Sequence, residues 1–221
     1  MERNTQLREL RVKGVGKISL KSDLIEIATS IVAKDPEYEK TINLAAEMLD
    51  SFRAALIKAG HKKEAIKTTC FRVDAEYERY DKDDYAKKRF IGFKCVHGLR
   101  LEFDIDMKML GTTLEAISGC EADSDFRIKF TVKNRKEVAK KLLKSAIDDA
   151  KSKAEILADS SGVKLGVIQQ IDYHWGEIFL YSSTDIFMDS GHCFRAPLSS
   201  IDVEPEDINL EDTATIVWNI E

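Results

Sequence analysis

Between Asn134 and Ile171 the chain carries a helical stripe with alanine at four of six positions, and the rest of the chain is organised around it. Small or aliphatic residues recur at Ala139, Leu142, Ala146, Ala150, Ala154 and Leu157, which is helical spacing along one face. Asn134 followed by Glu137 has the capping-box spacing that opens a helix, and Gly162 closes it. Leu165, Val167 and Ile171 then resume at strand spacing. A helix faced with alanine can approach a sheet or another helix more closely than one faced with leucine. The stretch therefore specifies a fold, and with it an assembly, rather than a nucleophile or a ligand set.

The rest of the chain is patterned around that helix. Leu10, Val12, Ile18 and Leu20 alternate around Gly14-Val15-Gly16, and Ile25, Ile27, Ile31 and Ala33 alternate after Ser22-Asp23, which predicts two tightly joined strands. Asp35-Pro36 reads as a capping acid with proline at the first helical position. The stripe Tyr38, Ile42, Ala45, Leu49, Phe52, Leu56 and Ala59 then predicts a first helix ending at Gly60. Phe71, Val73, Ala75 and Tyr77, a polar turn at Asp81 to Asp84, and the odd-numbered run from Ile91 to Ile105 form a long hairpin with odd positions toward the core. Asp106 caps a short helix buried through Met107, Leu110, Leu114 and Ile117, and Phe126, Ile128, Phe130 and Val132 give a further strand. Residues 172 to 205 are less regular, and Ala214, Ile216, Trp218 and Ile220 close the chain as a strand.

The order is strand-strand-helix-strand-strand-helix-strand-helix-strand-strand. Polar residues on the opposite strand faces (Lys94, Arg100, Glu102, Asp104) predict an α+β fold, a mainly antiparallel sheet with three helices packed on one face. With three prolines and no repeat there is no evident linker, so residues 1–221 read as a single domain whose segment 172–221 is a variable tail ending in a strand.

A net charge of -5 points away from a generally nucleic-acid-coated protein, and no apolar run reaches membrane-spanning length. The charged opening MERNTQLREL lacks an apolar signal core, and four scattered cysteines lack any CxxC spacing. Both features suit a cytoplasmic protein with reduced thiols, the alternative being an exported protein whose signal peptide has been removed.

Several phrases resemble the SIMPL-domain family. They are Val12-Lys13-Gly14-Val15-Gly16, the Ala59-Gly60 helix end, Ile91-Gly92-Phe93, Asp106 before the second helix, and Lys153-Ala154-Glu155 through Gly162-Val163-Lys164-Leu165-Gly166, with a last strand after Pro205. Bacterial members include periplasmic immunogenic and oxidative-stress-associated proteins, and the eukaryotic namesake is a kinase-associated adaptor. The resemblance implies a fold, a tendency to assemble and a stress-related or partner-binding role; it supplies no catalytic residues. Departures are Ser22-Asp23 where the family usually has Pro-Asp, and the stretch 172 to 200.

Each local cluster has a plainer structural reading. Gly14-Val15-Gly16 is followed by a strand, whereas a phosphate loop is followed by a helix, so it reads as a bulge or a tight sheet contact. Cys95 and His97 share a strand face but lack a third ligand. Cys70 falls on the opposite strand parity from Cys95, which argues against a bond between them. Arg127, Lys129, Lys133, Arg135, Lys136, Lys140, Lys141 and Lys144 form a basic run opposed by Glu137 alone, a candidate for anionic-partner or subunit contacts. Its lack of interleaved aromatics or a recognition motif argues against nucleic acid. The acids Asp202, Glu204, Glu206, Asp207, Glu211 and Asp212 could complement it between identical chains, with pairing inside one chain as the competing reading. The sequence thus reads as a non-enzymatic, self-assembling homo-oligomer without cofactor or metal. The alternative is a small-molecule-binding protein or hydrolase with a cleft near His174, Trp175, His192 and Cys193.

Overall fold

The computed structural model describes residues 8–79, 88–120, 126–174, 176, 178–188 and 203–221. In chain order the elements are β1 (Glu9–Leu20), β2 (Leu24–Asp35), α1 (Tyr38–Lys58), β3 (Ile66–Arg79), β4 (Lys88–Asp104), α2 (Met107–Ser118), β5 (Phe126–Thr131), α3 (Arg135–Ser161), β6 (Leu165–Tyr173), β7 (Tyr181–Met188) and β8 (Ile208–Ile220). The α+β class and the order of elements are those expected. The strands divide into two sheets, however, in two compact units, and three strands follow α3. The added strand, β7, falls in the irregular stretch, where Tyr-Ser-Ser-Thr-Asp-Ile-Phe-Met offers no clear alternation.

One unit is built on the sheet β1-β8-β6 and on α3. Asn134 Oδ1 accepts the Glu137 N–H at 3.2 Å, so the cap forms, while the Glu137 side chain turns to Lys140 instead of reaching back. The buried face of α3 is Leu142, Ala146, Ala150, Ala154 and Ala158. The stripe keeps strict four-residue steps and drifts onto Ala158, which leaves Leu157 45% exposed. Gly162 ends the helix in the left-handed conformation at φ 68°. The β1–β8 register runs unbroken through Gly14 and Gly16, so there is no bulge here. The glycines are required by α3: a Cβ on Gly14 would lie 2.0 Å from the Ala146 carbonyl oxygen, and one on Gly16 would lie 2.4 Å from that of Leu142. Across this seam Asp149 accepts the Val15 N–H at 2.7 Å and pairs with Lys153 at 2.6 Å. Trp218 and Ile216 of β8 are buried with Val12, Ala150 and Ala154.

The other unit holds the sheet β3-β4-β2-β5-β7, of whose last strand it takes the residues from Thr184 on, with α1 and α2. Its core joins Ile25, Ile27 and Ile31 of β2, Leu99 and Leu101 of β4 and Phe126, Ile128 and Phe130 of β5 to Phe52, Leu56, Leu110, Leu114 and Ile117 of the helices. Asp106 caps α2 through the N–H groups of Lys108 and Met109. At α1 the sequence expectation shifts by two residues. Asp35 ends β2 and accepts the Glu37 N–H at 2.8 Å, and Glu37 is the N-cap, so Pro36 precedes the helix. On β3 the odd positions are only partly covered: Phe71 is 54% and Tyr77 56% exposed. The reason is positional, because β3 is an edge strand and α1 packs on β2 and β4.

Candidate functional site

One of two concave surfaces that reach His174, at the expected cleft, lies on the three-stranded sheet. An open concavity of about 510 Å³ is lined by Lys13 of β1, Ile171, Asp172 and Tyr173 of β6, His174, and Thr213 and Thr215 of β8. Strand pairing sets three of these residues side by side on one face, since Lys13 lies opposite Thr215 and Thr215 opposite Asp172. Tyr173 donates its hydroxyl to Asp212 at 2.7 Å; this bond, then burial, holds the phenol above its usual range, so it remains protonated at neutral pH. Arg11 approaches Asp172 at 3.6 Å. The set can hydrogen-bond a polar group. Trp175, His192 and Cys193 lie outside the described residues, so His174 is the described member of that cluster.

A second concavity, of about 720 Å³, runs between α1 and α2, with Met48, Ser51 and Ala55 on one wall and Glu115, Ala116 and Cys120 on the other. Burial pushes the Cys120 thiol up, the opposite of what activates a cysteine nucleophile.

The basic run separates by unit. Arg127 and Lys129 stand on β5, where Arg127 makes a forked contact with Asp185 at 2.7 and 3.0 Å that holds Asp185 below the usual carboxylate range. In the other unit Arg135 stacks on Tyr181 at 5.2 Å, Lys140 pairs with Glu137 at 2.9 Å, and Lys133, Lys136, Lys141 and Lys144 are exposed. Acids of the tail are also engaged within their own unit, Glu206 by the Ser183 hydroxyl, Glu211 by Lys17 at 3.2 Å and Asp212 by Tyr173. Asp202 lies outside the described residues.

Cys95 is buried and faces Val73, while Cys70 is exposed and faces Gly98. Burial raises the Cys95 thiol. Alkylation of the native protein followed by peptide mass mapping should therefore label Cys70, and should label Cys95 after unfolding alone. His97 meets Thr68 Oγ1 at 2.9 Å. His61 is buried against Thr113, whose hydroxyl donates to the Met109 carbonyl at 2.5 Å and accepts from His61 Nε2–H at 2.6 Å. Burial lowers both imidazoles, with Arg53 adding to the effect at His97. Unfolded imidazoles titrate near pH ~6.5. Below that value the unfolded chain binds more protons than the folded one, so stability is full above it and falls as pH drops toward the lowered folded values. Urea midpoints should decline between about pH 7.5 and about pH 5, and His61→Gln should shrink that decline. The lowered carboxylates Asp149 and Asp185 add a further loss as pH falls below the ordinary carboxylate range, about 4.

Among the described residues, no three or more His, Cys, Asp and Glu side chains gather to hold an ion, and no helix is long and apolar enough to cross a membrane. Sequence patterning missed the margin formed by β6. Val167 is 69%, Ile168 44% and Ile171 55% exposed there, although each sits in an apolar strand pattern. A search of curated proteins finds no match to this chain. The SIMPL family model, described as a protein of unknown function (DUF541), matches residues 10–218. That span reaches from the second residue of the glycine-bearing β1 through the alanine-faced α3 to Trp218 of β8, and the chain belongs to the SIMPL family.

Proposed function

We propose that this SIMPL protein is a non-enzymatic, cytoplasmic protein that works as a self-assembled homo-oligomer, engaging a partner or a stress response through that assembly. The observation that carries the reading is the placement of exposed apolar side chains at sheet margins: Val167, Ile168 and Ile171 on β6, and Phe71, Tyr77 and Phe90 on the β3–β4 hairpin. Contiguous apolar surface at an edge strand favours association with another chain. The acidic tail lends less support than its composition suggests, because Glu211 and Asp212 are engaged within their own unit. The exposed, unpaired Cys70 suits a reducing compartment, which fractionation of the source cells would check. Light scattering coupled to size-exclusion chromatography should give a mass well above 25.0 kDa that falls on dilution. A monomer across a hundredfold range around ~10 μM would overturn the reading.

A further inference from the structure

The five-stranded sheet ends at β3, and among the described residues no strand pairs with the outer side of that strand. Charged side chains ordinarily guard such an edge against arbitrary partners. The pairing of β3 with β4 is regular from Cys70 to Glu76, between two register shifts. Over that window Cys70, Arg72, Asp74 and Glu76 share one face, and Phe71, Val73 and Ala75 share the other. The second face is the one toward α1, since Val73 packs with Ala45 and Cys95, yet along β3 it stands open, with Phe71 54% exposed and Ala75 exposed beside it. On the first face Arg72 meets Asp74 at 2.7 Å, and Asp74 lies opposite Lys94 of β4.

We infer that β3 is the contact by which two copies of this chain join, antiparallel about a two-fold axis at Val73. The occupant is a second copy because the regular window is its own complement in charge and in size. With Val73 on the axis, Arg72 of each copy faces Asp74 of the other, so each Asp74 is flanked by Lys94 of its own chain and by Arg72 of the second copy. On the open face Phe71 of each copy faces Ala75 of the other, a large side chain against a small one. Every such pair joins residues of the same face, as strand pairing requires, because the window contains no register shift. The charges also select the register. Moving the axis by one residue sets Arg72 against Arg72 or Asp74 against Asp74. A strand-on-strand contact of this length is small, so the dimer is of the weak, concentration-dependent class.

The inference rests on the self-assembly reading and is tested so that the two fail separately. Arg72→Glu and Asp74→Arg each set like charges opposite one another on both sides of the axis, and each should raise the dissociation constant read by light scattering roughly tenfold. Combining the two restores opposite charges and should return the constant to that of the parent chain. The side chains are 66% and 50% exposed, so the melting temperatures of all three variants should stay with the parent, which separates lost pairing from lost folding. Val73→Cys in a Cys70→Ser background places a thiol on the axis, where paired strands bring Cα atoms within disulfide range. Oxidation should then make a cross-linked dimer the main species, and Cys70→Ser alone should not give it. An oligomer indifferent to the single reversals, single reversals that the combination does not rescue, or an oligomer that gives no Val73→Cys cross-link overturns the β3 contact and leaves self-assembly standing. A monomer throughout overturns both.

Discussion

Replacing Gly14 with alanine should destabilise the protein by about 3 kcal/mol, a fall of roughly 10 °C in melting temperature for a chain of this size. The added Cβ would sit 2.0 Å from the Ala146 carbonyl oxygen, 2.6 Å from the Ala150 nitrogen and 2.7 Å from the Ala150 Cβ. Two of the three are backbone atoms of a long helix, which cannot rotate aside as a side chain can. Relief requires α3 to move off β1, and that movement breaks the Asp149 bond to Val15 and loosens Val12, Ala154 and Trp218 together. Gly14→Val should be worse than Gly14→Ala. Ala150→Gly should rescue Gly14→Ala in part, since it removes the methyl contact and leaves the backbone contacts. Thermal denaturation of the four proteins would decide, and a Gly14→Ala variant melting with the parent would show that the seam is looser than described.

Phe130→Ala should cost about 4 kcal/mol, within the range for deleting a fully buried ring. Phe130 has no exposure, and its neighbour across β5–β2 is Ile25, itself opposite Phe103 on β4. The row Phe103, Ile25, Phe130 thus crosses three strands in the same core as Leu110, Leu114 and Ile117 of α2, and its loss leaves a cavity that rigid strands close poorly. Phe71→Ala, by contrast, should change stability by no more than about 0.5 kcal/mol, because that ring is already half in water and meets His97 edge-on. Urea midpoints of the two variants make the comparison. Equal losses would mean that β3 is covered as deeply as β5.

Those two phenylalanines show what the sequence can and cannot convey. Both lie in clean alternating runs, so both read as core. Alternation reports which residues share a face of a strand, and nothing in it reports whether an element lies over that face. Hence β2, β4, β5 and β8 were readable, as were the caps at Asp106 and Asn134, which act within three residues of themselves. The partition into two sheets was not, because pairing partners such as Leu10 and Trp218 are set by long-range contact. The same limit applies at the candidate surfaces. Tyr173 and Asp212, or Val15 and Asp149, meet across distances in sequence that no local motif encodes. The family resemblance was readable because its phrases are the local ones: the paired glycines of β1, Ile91-Gly92-Phe93, and Lys153-Ala154-Glu155 through the glycine that ends α3.

The central place of β8 in its sheet has a consequence for how the chain is made. While β2 to β5 all lie between residues 24 and 131, the strand that separates β1 from β6 is synthesised after every other described strand. At about 5–20 residues per second, some 200 residues pass between β1 and β8, so the first strand waits roughly 10 to 40 s on the ribosome for its partner. Throughout that interval Val12 lacks Ile216 and Trp218, and so does the alanine face of α3 from the time it is made. The glycine-bearing strand and the uncovered helix face are therefore the surfaces a nascent-chain chaperone would meet first.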